Sequence, residues 1–309
     1  MTVTVTLSPS IDKTSVVCGF DQDKVNRTQS TRLDAGGKGI NVSLALASLG
    51  EETVAAAFEF GGSQIISEAL KRAGAGYEPV KCSGTVRTNL KIFDTKTKKT
   101  IELNESNPKV GEQEIDGLIA LCRRLASAAE IIVLSGSVPP GVQPDIYYRL
   151  ATEASAANSD IKVILDCEGE ALLNGLRASP YLIQPNVDEL RNTFGAAINS
   201  EDEVISICRS IIAEYGVTAV LVSAGKDGAM IITEDENILR PAVEIAPKSA
   251  QGAGDAMAAG ACVAVSKGLG AEGILRYGLC AAAGAVELEG TAFCSRERFG
   301  ELLSGYRDI

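Results

Sequence analysis

Continuous apolar runs alternate with segments of helical periodicity from about residue 130 onward. The runs IIVLS, KVILD, YLI, AVLVS and AMIIT each end at a polar or glycine-containing segment. Strands that are apolar at successive positions are buried on both faces, which is typical of a parallel sheet covered by helices. Helical spacing after the first of these runs predicts a helix over about 144–157. The pattern therefore predicts an α/β fold in which a mostly parallel central sheet is flanked by helices in three layers.

The first half of the chain adds further strands and two polar stretches. Residues 2–7 alternate Thr and Val as a strand that stops at Ser8-Pro9-Ser10, and we expect Asp12 in the loop that follows. The stretches 14–35 and 85–103 have the pattern of short polar strands, the second as a hairpin, and are expected to form a small lid. Because no linker or low-complexity segment divides the chain, residues 1–309 are expected to form one domain with this lid.

Polar residues recur where the predicted strands end, and ligands of such sheets bind at the carboxyl ends of the strands. These residues are Ser135–Ser137, Asp166, Asn186 and Ser223–Gly225. On the hairpin, Arg87, Asn89 and Lys91 alternate and therefore share one face. A basic face on a hairpin is ordinarily solvated, but it would contribute to an anion site if the lid covers one.

Two glycine-rich segments open helices far apart in the chain. AGGKGINV covers residues 35–42 and QGAGDAMAAG covers residues 251–260. Glycines let a ligand approach the backbone, and the first turn of a helix offers unpaired N–H groups and a partial positive charge. Together they make an anion site, although neither segment matches the dinucleotide or the P-loop fingerprint. The plainer reading of the first segment is a flexible turn with a surface lysine.

Asp255 follows the second glycine pair directly, in the first turn of the predicted helix. A carboxylate at this position is often only a helix cap. The alternative is a general base that removes the proton from a hydroxyl attacking phosphorus. Since a helix N-terminus favours negative charge, we expect Asp255 to stay ionised.

Composition removes several classes of function. The chain has no histidine, which excludes histidine general bases, Ser-His-Asp and Cys-His catalysis and histidine-ligated zinc. A net charge of −11 without a basic block argues against a nucleic-acid partner. Eight scattered cysteines without a CxxC pair indicate free, partly buried thiols and a reducing compartment. Without a signal-like start or a long apolar run, we expect a cytoplasmic protein with no membrane partner.

At this point the sequence resembles the ribokinase-like (PfkB) carbohydrate kinases. The segments AGGKGINV, SGSVPPG, LDCEGEAL, PNVDEL, SAGKDGA and GAGDAMAAG occur in the order found in that family, and the resemblance spans the whole chain. The segments LSPSID, DKVNR and RTNLKI are similar to those of the phosphosugar-using branch, 1-phosphofructokinase and tagatose-6-phosphate kinase. The resemblance implies a ribokinase-like fold and phosphorylation of a ketohexose monophosphate by ATP with Mg²⁺.

The resemblance also implies roles for individual residues. Asp255 matches the catalytic base, and the anion hole matches Gly252, Ala253 and Gly254. The sugar-binding positions are Asp12, Gly37, Lys38 and Asn41, and the positions that hold the substrate phosphate are Arg27, Lys38, Arg87, Asn89, Lys91 and Ser137. The nucleotide positions are Asn186, Ser223, Gly225, Gly228, Gly252 and Gly254, with Ala281–Ala285 and Gly290 beside adenine. Asn186 and Glu189 match the N-x-x-E element that places magnesium, largely through water.

The sequence departs from the family pattern at two places. Gln184 stands where the family has lysine before Pro-Asn, which removes a charge that could contact phosphate, and Ser8 replaces the asparagine before Pro9. The alternatives to a 1-phosphofructokinase are a tagatose-6-phosphate kinase, a free-sugar kinase of the same fold and a non-catalytic sugar or nucleotide sensor. An exposed edge of the lid also predicts pairing into a homodimer.

Overall fold

The computed structural model describes residues 1–196 and 198–306. Its strands in chain order are β1 (Thr2–Thr6), β2 (Ser10–Val17), β3 (Ser30–Gly36), β4 (Thr53–Gly61), β5 (Gly76–Thr85), β6 (Arg87–Asp94), β7 (Lys99–Asn104), β8 (Ile131–Ser135), β9 (Lys162–Asp166), β10 (Leu182–Ile183), β11 (Ala219–Ser223), β12 (Ala229–Ile232) and β13 (Asn237–Arg240). Its α-helices are α1 (Lys38–Ser48), α2 (Gln64–Ala73), α3 (Glu112–Ala126), α4 (Ile146–Ala157), α5 (Gly169–Leu176), α6 (Val187–Phe194), α7 (Glu201–Tyr215), α8 (Ala253–Ser266), α9 (Ala271–Val286) and α10 (Arg296–Gly305).

The central sheet has the strand order β13-β12-β11-β10-β9-β8-β1-β4-β5. Neighbouring strands from β11 to β5 are parallel, and β12 and β13 add an antiparallel edge. Successive residues of β11 face opposite sides, so Leu221 packs into one core and Val220 and Val222 into the other. The predicted three-layer α/β architecture is confirmed.

The register of the sheet brings its polar strand ends to one edge. Thr6 of β1 is level with Ser135 of β8, and Ser135 is level with Asp166 of β9. Further along the same edge, Asn186 forms a bridge with Ser223. The carboxyl ends of the parallel strands therefore form a continuous polar rim on which a ligand site can be built.

A separate sheet of strand order β3-β2-β6-β7 forms the lid. Its middle strands are parallel and place Asp12 level with Asn89, while the outer pairs are antiparallel. The expected hairpin corresponds to β6 and β7. The placement of Asp12 in a loop was wrong, because β2 already begins at Ser10 and continues through Asp12 as a lid strand.

Edge position explains a strand that the pattern did not predict. β5 pairs only with β4 at the end of the central sheet, and its residues are half-buried or exposed. It therefore lacks the continuous apolar run that marks the inner strands.

The two helices that follow the second glycine segment pack unusually closely. A Cβ on Gly260 of α8 would lie 2.3 Å from the backbone oxygen of Tyr277 on α9. Cys262 and Cys280 are buried at this packing, as the apolar runs around them predict, whereas Cys18 is exposed.

Within residues 1–196 and 198–306, no helix is both long and apolar enough to span a membrane.

Candidate active site

The first turn of α8 is built by a left-handed glycine. Gly252 is the N-cap of the helix with a φ of 77°, a conformation that a residue with a side chain adopts only at a cost. A Cβ added to Gly254 would have no heavy atom within 4 Å, so this part of the turn faces open space. The backbone at Gly252–Gly254 is therefore accessible to a ligand, as an anion hole requires.

Asp255 lies just inside this turn and is buried. Its Oδ2 accepts a hydrogen bond of 2.8 Å from the side-chain amide of Asn41 on α1. Because Gly37 is the N-cap of α1 with a φ of 113°, both glycine segments open helices whose first turns meet at this bond. The structure thus brings Asp255 close to Gly37, Lys38 and Asn41, which all lie more than 200 positions before it in the chain.

Burial raises the pKa of Asp255 to about 7, and the nearby charge of Asp166 acts in the same direction. The hydrogen bond from Asn41 and the charge of Lys38 lower it, and Asp12 raises it further. This differs from the expectation that the helix N-terminus keeps Asp255 ionised, because desolvation of the carboxylate is the larger effect.

Lys38 points to the carboxylates at the strand ends. Its Nζ lies 2.7 Å from Asp166 Oδ1 and 3.5 Å from Glu189 Oε1. Burial opposes the charge, but Asp166 and Glu189 outweigh it and raise the pKa of Lys38 above its ordinary value. Lys38, the first residue of α1, therefore carries a full positive charge at the first glycine segment. Asp166 was noted only as a strand-end residue, and the pairing with Lys38 had no signal in the sequence.

Asp12 is held on the inner face of the lid. Asn89 Nδ2 donates to Asp12 Oδ1 at 2.9 Å, and Ser10 Oγ donates to the same oxygen at 3.1 Å. Gln251 Nε2 donates to the other oxygen at 2.9 Å and so connects the lid to the segment before Gly252. Gln251 was not among the predicted site residues, because its side-chain partners are distant in the chain.

Of the six predicted phosphate-holding residues, four line two separate cavities, while Arg27 and Asn89 line neither. Lys38, Arg87 and Ser137 line a cavity of about 340 Å³, together with Ser8, Asn104, Gly136, Cys167 and Glu168. Lys91 instead lines a cavity of about 1000 Å³ between the lid and the segment 248–251. Its Nζ lies 3.8 Å from Glu102 Oε1. Arg27 lies apart on the exposed connection between β2 and β3 and lines neither cavity.

Arg87 is a half-buried cation with weak compensation. Its Nη2 and Nη1 groups donate to the carbonyl oxygens of Ser8 and Glu105, at 3.4 and 3.5 Å, and its Nε donates to the side-chain oxygen of Asn107 at 3.2 Å when that amide is oriented to satisfy its neighbours. These partners are neutral, and none of the ion pairs among residues 1–196 and 198–306 includes Arg87. Burial lowers the pKa of Arg87, while the charge of Asp12 acts in the opposite direction. A guanidinium remains charged under these conditions, so this wall of the smaller cavity favours an anion.

Asn186 and Glu189 form a capping box at the start of α6. Asn186 Oδ1 accepts from Glu189 N at 2.8 Å, and Glu189 Oε2 accepts from Asn186 N at 2.9 Å. Burial raises the pKa of Glu189, although Lys38 and the bond from Asn186 act against this shift. The N-x-x-E element therefore has a structural role, and Glu189 Oε1 still faces Lys38.

The predicted nucleotide residues lie on the neighbouring strand end. Ser223 ends β11 beside Asn186, and a short 3-10 turn, Gly225–Asp227, leads to Gly228. Gly228 has a φ of 106°, and a Cβ there would meet the backbone oxygen of Arg240. In the expected adenine segment Ala281–Ala285, every residue except Ala282 is buried, whereas Gly290 lines the larger cavity.

Gln184 fills the position of the family lysine. Its Nε2 donates to the backbone oxygen of Gly254 at 2.8 Å, so it supports the glycine turn through the carbonyl that precedes Asp255. Its Oε1 is buried and has no hydrogen-bond partner among the described residues.

This fold and site define a carbohydrate kinase of the ribokinase-like class. An exposed glycine at a helix N-terminus lies beside a buried acid, and Asp12 of the lid is bonded to Gln251, which precedes this turn. The chain belongs to the pfkB family of carbohydrate kinases, whose model matches residues 5–298.

Curated relatives and solved structures extend this comparison. The 1-phosphofructokinase of Xanthomonas campestris pv. campestris is 34% identical over 268 residues, which cover 85% of this chain and 83% of that protein. The ATP-dependent 6-phosphofructokinase isozyme 2 of Mycobacterium tuberculosis is 30% identical over 305 residues, which cover 97% of this chain and 89% of that protein. Phosphofructokinase-2 from Escherichia coli, solved in complex with fructose-6-phosphate, has a TM-score of 0.88 at 25% identity, with 98% of each chain covered.

The raised pKa of Asp255 predicts a pH-dependent cost in stability. The unfolded chain loses this proton near pH 4, whereas the folded chain keeps it up to about pH 7. The wild type is therefore expected to lose about 3 kcal/mol of unfolding free energy, relative to Asp255→Asn, between pH 5 and pH 8. Urea unfolding of both proteins across this range measures the difference, with Asp160→Asn at an exposed site as the control. Parallel pH curves for wild type and Asp255→Asn would contradict the shift.

Proposed function

We propose that this chain is an ATP-dependent kinase of a ketohexose monophosphate, converting fructose 1-phosphate to fructose 1,6-bisphosphate. The observation that supports the proposal is the hydrogen bond between Asn41 and Asp255. It joins the glycine segment 35–42, which holds the predicted sugar-binding residues, to the glycine turn 252–254, which is predicted to bind the phosphoryl group. The 1-phosphofructokinases among its relatives supply the substrate class.

Asp255 acts as the general base in this proposal. It accepts the proton of the attacking hydroxyl, and a pKa of about 7 makes it a stronger acceptor than an ordinary carboxylate. Only its ionised form can do so. A carboxylate is adequate because proton transfer can lag behind bond breaking in a loose phosphoryl-transfer transition state.

The backbone amides of Gly252–Gly254 form the anion hole. Gly254 faces open space, so the transferring phosphoryl group can approach the first turn of α8. Lys38 adds a positive charge whose pairing with Asp166 and Glu189 holds it in place before substrate binds. Positioning and charge neutralisation are the main contributions that phosphoryl transfer needs from a protein.

ATP with Mg²⁺ is the phosphoryl donor of this proposal. Magnesium neutralises charge on the phosphates and is held mainly by phosphate oxygens and water. Such an ion needs only one or two carboxylates, which fits Glu189 with Asn186, since residues 1–196 and 198–306 contain no metal-binding cluster of three or more side chains. Ser223, Gly225 and Gly228 form the turn for the nucleotide next to Asn186.

The substrate's existing phosphate binds in the smaller cavity. Lys38 and Arg87 supply two cations there and Ser137 a hydroxyl, while the guanidinium of Arg87, whose hydrogen-bond partners are neutral, favours a bidentate contact with phosphate oxygens. Asp12 and Asn41 bind the sugar hydroxyls between this cavity and Asp255. The lid excludes water, which would otherwise accept the phosphoryl group.

A homodimer formed through the lid completes the proposal. The face of this sheet opposite Asp12 and Asn89 carries the apolar residues Leu33, Leu90, Ile92, Ile101 and Leu103, with the exposed Lys13 level with Leu33 and Leu90. Leu33 is 48% exposed and Leu103 57%, so this sheet presents an apolar face to solvent. A second copy of the same face would bury it, as isologous dimers do.

The base assignment is tested by Asp255→Asn. Loss of the proton acceptor is expected to lower kcat roughly 100-fold or more while the Kd for an ATP analogue stays near the wild-type value. A coupled assay of ADP release measures kcat, and Asp160→Asn is the control. Turnover near the wild-type rate would refute the assignment.

The same assay identifies the substrate among fructose 1-phosphate, tagatose 6-phosphate, fructose 6-phosphate and unphosphorylated sugars. We expect the highest kcat/KM with fructose 1-phosphate. Preference for an unphosphorylated sugar would place the protein in another branch of the family, and absence of ADP release with every sugar would favour a sensor.

Arg87→Ala tests the phosphate cavity. Removal of a charged hydrogen-bond donor is expected to raise the KM for the phosphosugar roughly 10- to 100-fold, with no effect on binding of the sugar without its phosphate. Steady-state kinetics measure the change, and Arg149→Ala on α4 is the control. An unchanged KM would remove Arg87 from the site.

The apolar lid face predicts the effect of a charge on assembly. Leu103→Lys is expected to shift the protein from dimer to monomer, because a buried lysine without a partner opposes association. Sedimentation velocity measures the change. Leu239→Lys, at an exposed leucine of β13, is the matched control and should leave the dimer intact. A monomeric wild type would overturn the proposed interface.

A further inference from the structure

The side chain of Gln251 bridges the two halves of the cleft. Its Nε2 donates to Asp12 Oδ2 on the lid at 2.9 Å and to Thr291 Oγ1, in the segment between α9 and α10, at 2.7 Å. An amide nitrogen has two protons, so these two bonds use both. One side chain therefore ties the lid carboxylate of the proposed sugar site to a segment on the opposite wall.

The position of Gln251 is fixed from its own side of the chain. Its backbone N–H donates to Ser249 Oγ at 3.2 Å, and the next residue is the left-handed Gly252 that begins the anion hole. Thr291 also packs on this turn, since a Cβ at Gly252 would lie 3.3 Å from Thr291 Cγ2. Movement of Gln251 or Thr291 is therefore transmitted to the turn that faces the phosphoryl group.

The lid makes a second contact with the same segment. The guanidinium of Arg32 on β3 lies directly over Gly290, so close that a Cβ there would clash with it. Arg32 is held by Asp34 of its own strand, with Nε 2.7 Å from Oδ2. Arg32 restricts the distance between lid and segment, but it does not contact Asp12.

Gln251 is the connection of Asp12 to the body of the protein. The other oxygen of this carboxylate accepts bonds from Ser10 and Asn89, which both belong to the lid and move with it. Without the Gln251 amide, Asp12 would keep its place within the lid but lose this tie to the anion-binding turn. Binding of sugar on Asp12 and binding of nucleotide at the turn would then become more independent.

We propose that Gln251 is a positioning residue that couples binding of the sugar phosphate to binding of the nucleotide through its bonds to Asp12 and Thr291. This inference rests on the proposed kinase function and assigns a coupling role to a residue that touches no reacting atom. A ligand that displaces Asp12 acts through the bridge on Gln251 and on the turn beside it, so the affinity on one side depends on whether the other side is occupied. The coupling must be the same in both directions.

The test measures the coupling factor, which is the Kd of fructose 1-phosphate without nucleotide divided by its Kd with a saturating non-hydrolysable ATP analogue and Mg²⁺. Titration calorimetry gives both values. For the wild type we expect a factor of about 5 or more, in the range usual for coupled sites. For Gln251→Leu, which keeps the size of the side chain but removes both donors, we expect a factor near 1.

Three further variants separate coupling from damage to the fold. Thr291→Val removes one arm of the bridge and is expected to lower the factor while the Kd for the sugar alone changes little. Gln251→Glu places a second carboxylate beside Asp12, which repels it, and this variant should also lower the coupling factor. Gln143→Leu makes the leucine substitution at an exposed glutamine and should keep the wild-type factor. Thermal unfolding of each variant verifies that the protein is folded.

The outcomes distinguish this inference from the proposed function. If the substrate screen selects another sugar phosphate, the same titrations are made with that sugar. An active wild type whose factor is 1, or a folded Gln251→Leu and Thr291→Val pair with the wild-type factor, overturns the coupling alone. A wild type that releases no ADP with any sugar overturns the kinase assignment and the coupling together.

Discussion

The site depends on one buried hydrogen bond between two helix N-termini. Asn41 at the start of α1 and Asp255 at the start of α8 are brought within 2.8 Å, although each helix begins at its own glycine turn. The bond fixes the distance between the first turns of α1 and α8. It also satisfies a carboxylate that burial would otherwise leave without a partner. The central sheet, the close packing of α8 on α9 and the lid all serve to keep these two turns in place.

Charge in the site is arranged as an excess of acid around few cations. Asp166, Glu189 and Asp255 lie around Lys38, and Asp12 lies near both Asp255 and Arg87. Without bound ligands, mutual repulsion and burial raise the pKa values of Asp255 and Glu189. Such an arrangement opposes folding stability and favours the arrival of a counter-ion, which is a common cost of preorganised sites.

The strands of the central sheet were predictable because their apolar runs report burial on both faces, as in IIVLS and AVLVS. The glycine turns were predictable because Gly37 and Gly252 need a left-handed backbone and stand directly before helices. The expectation for Asp12 failed because β2 begins four residues before the predicted stretch 14–35, and the short segment between them has no pattern that separates a loop from a strand. The contacts of Asp166, Gln184 and Gln251 could not be predicted, because each joins residues that only the fold brings together. The ionisation of Asp255 failed for a related reason: local sequence shows the helix dipole, whereas desolvation depends on every element packed around the group.

The capping box at α6 gives the Glu189 side chain two contacts. One oxygen of Glu189 closes the backbone at the start of the helix, and the other is turned toward Lys38. Loss of the side chain would remove both contacts at once, whereas glutamine would keep an acceptor for the helix start. The N-x-x-E element is therefore expected to be retained for its structural contact even in related proteins that no longer catalyse a reaction. Its presence in a sequence is weak evidence that activity is retained.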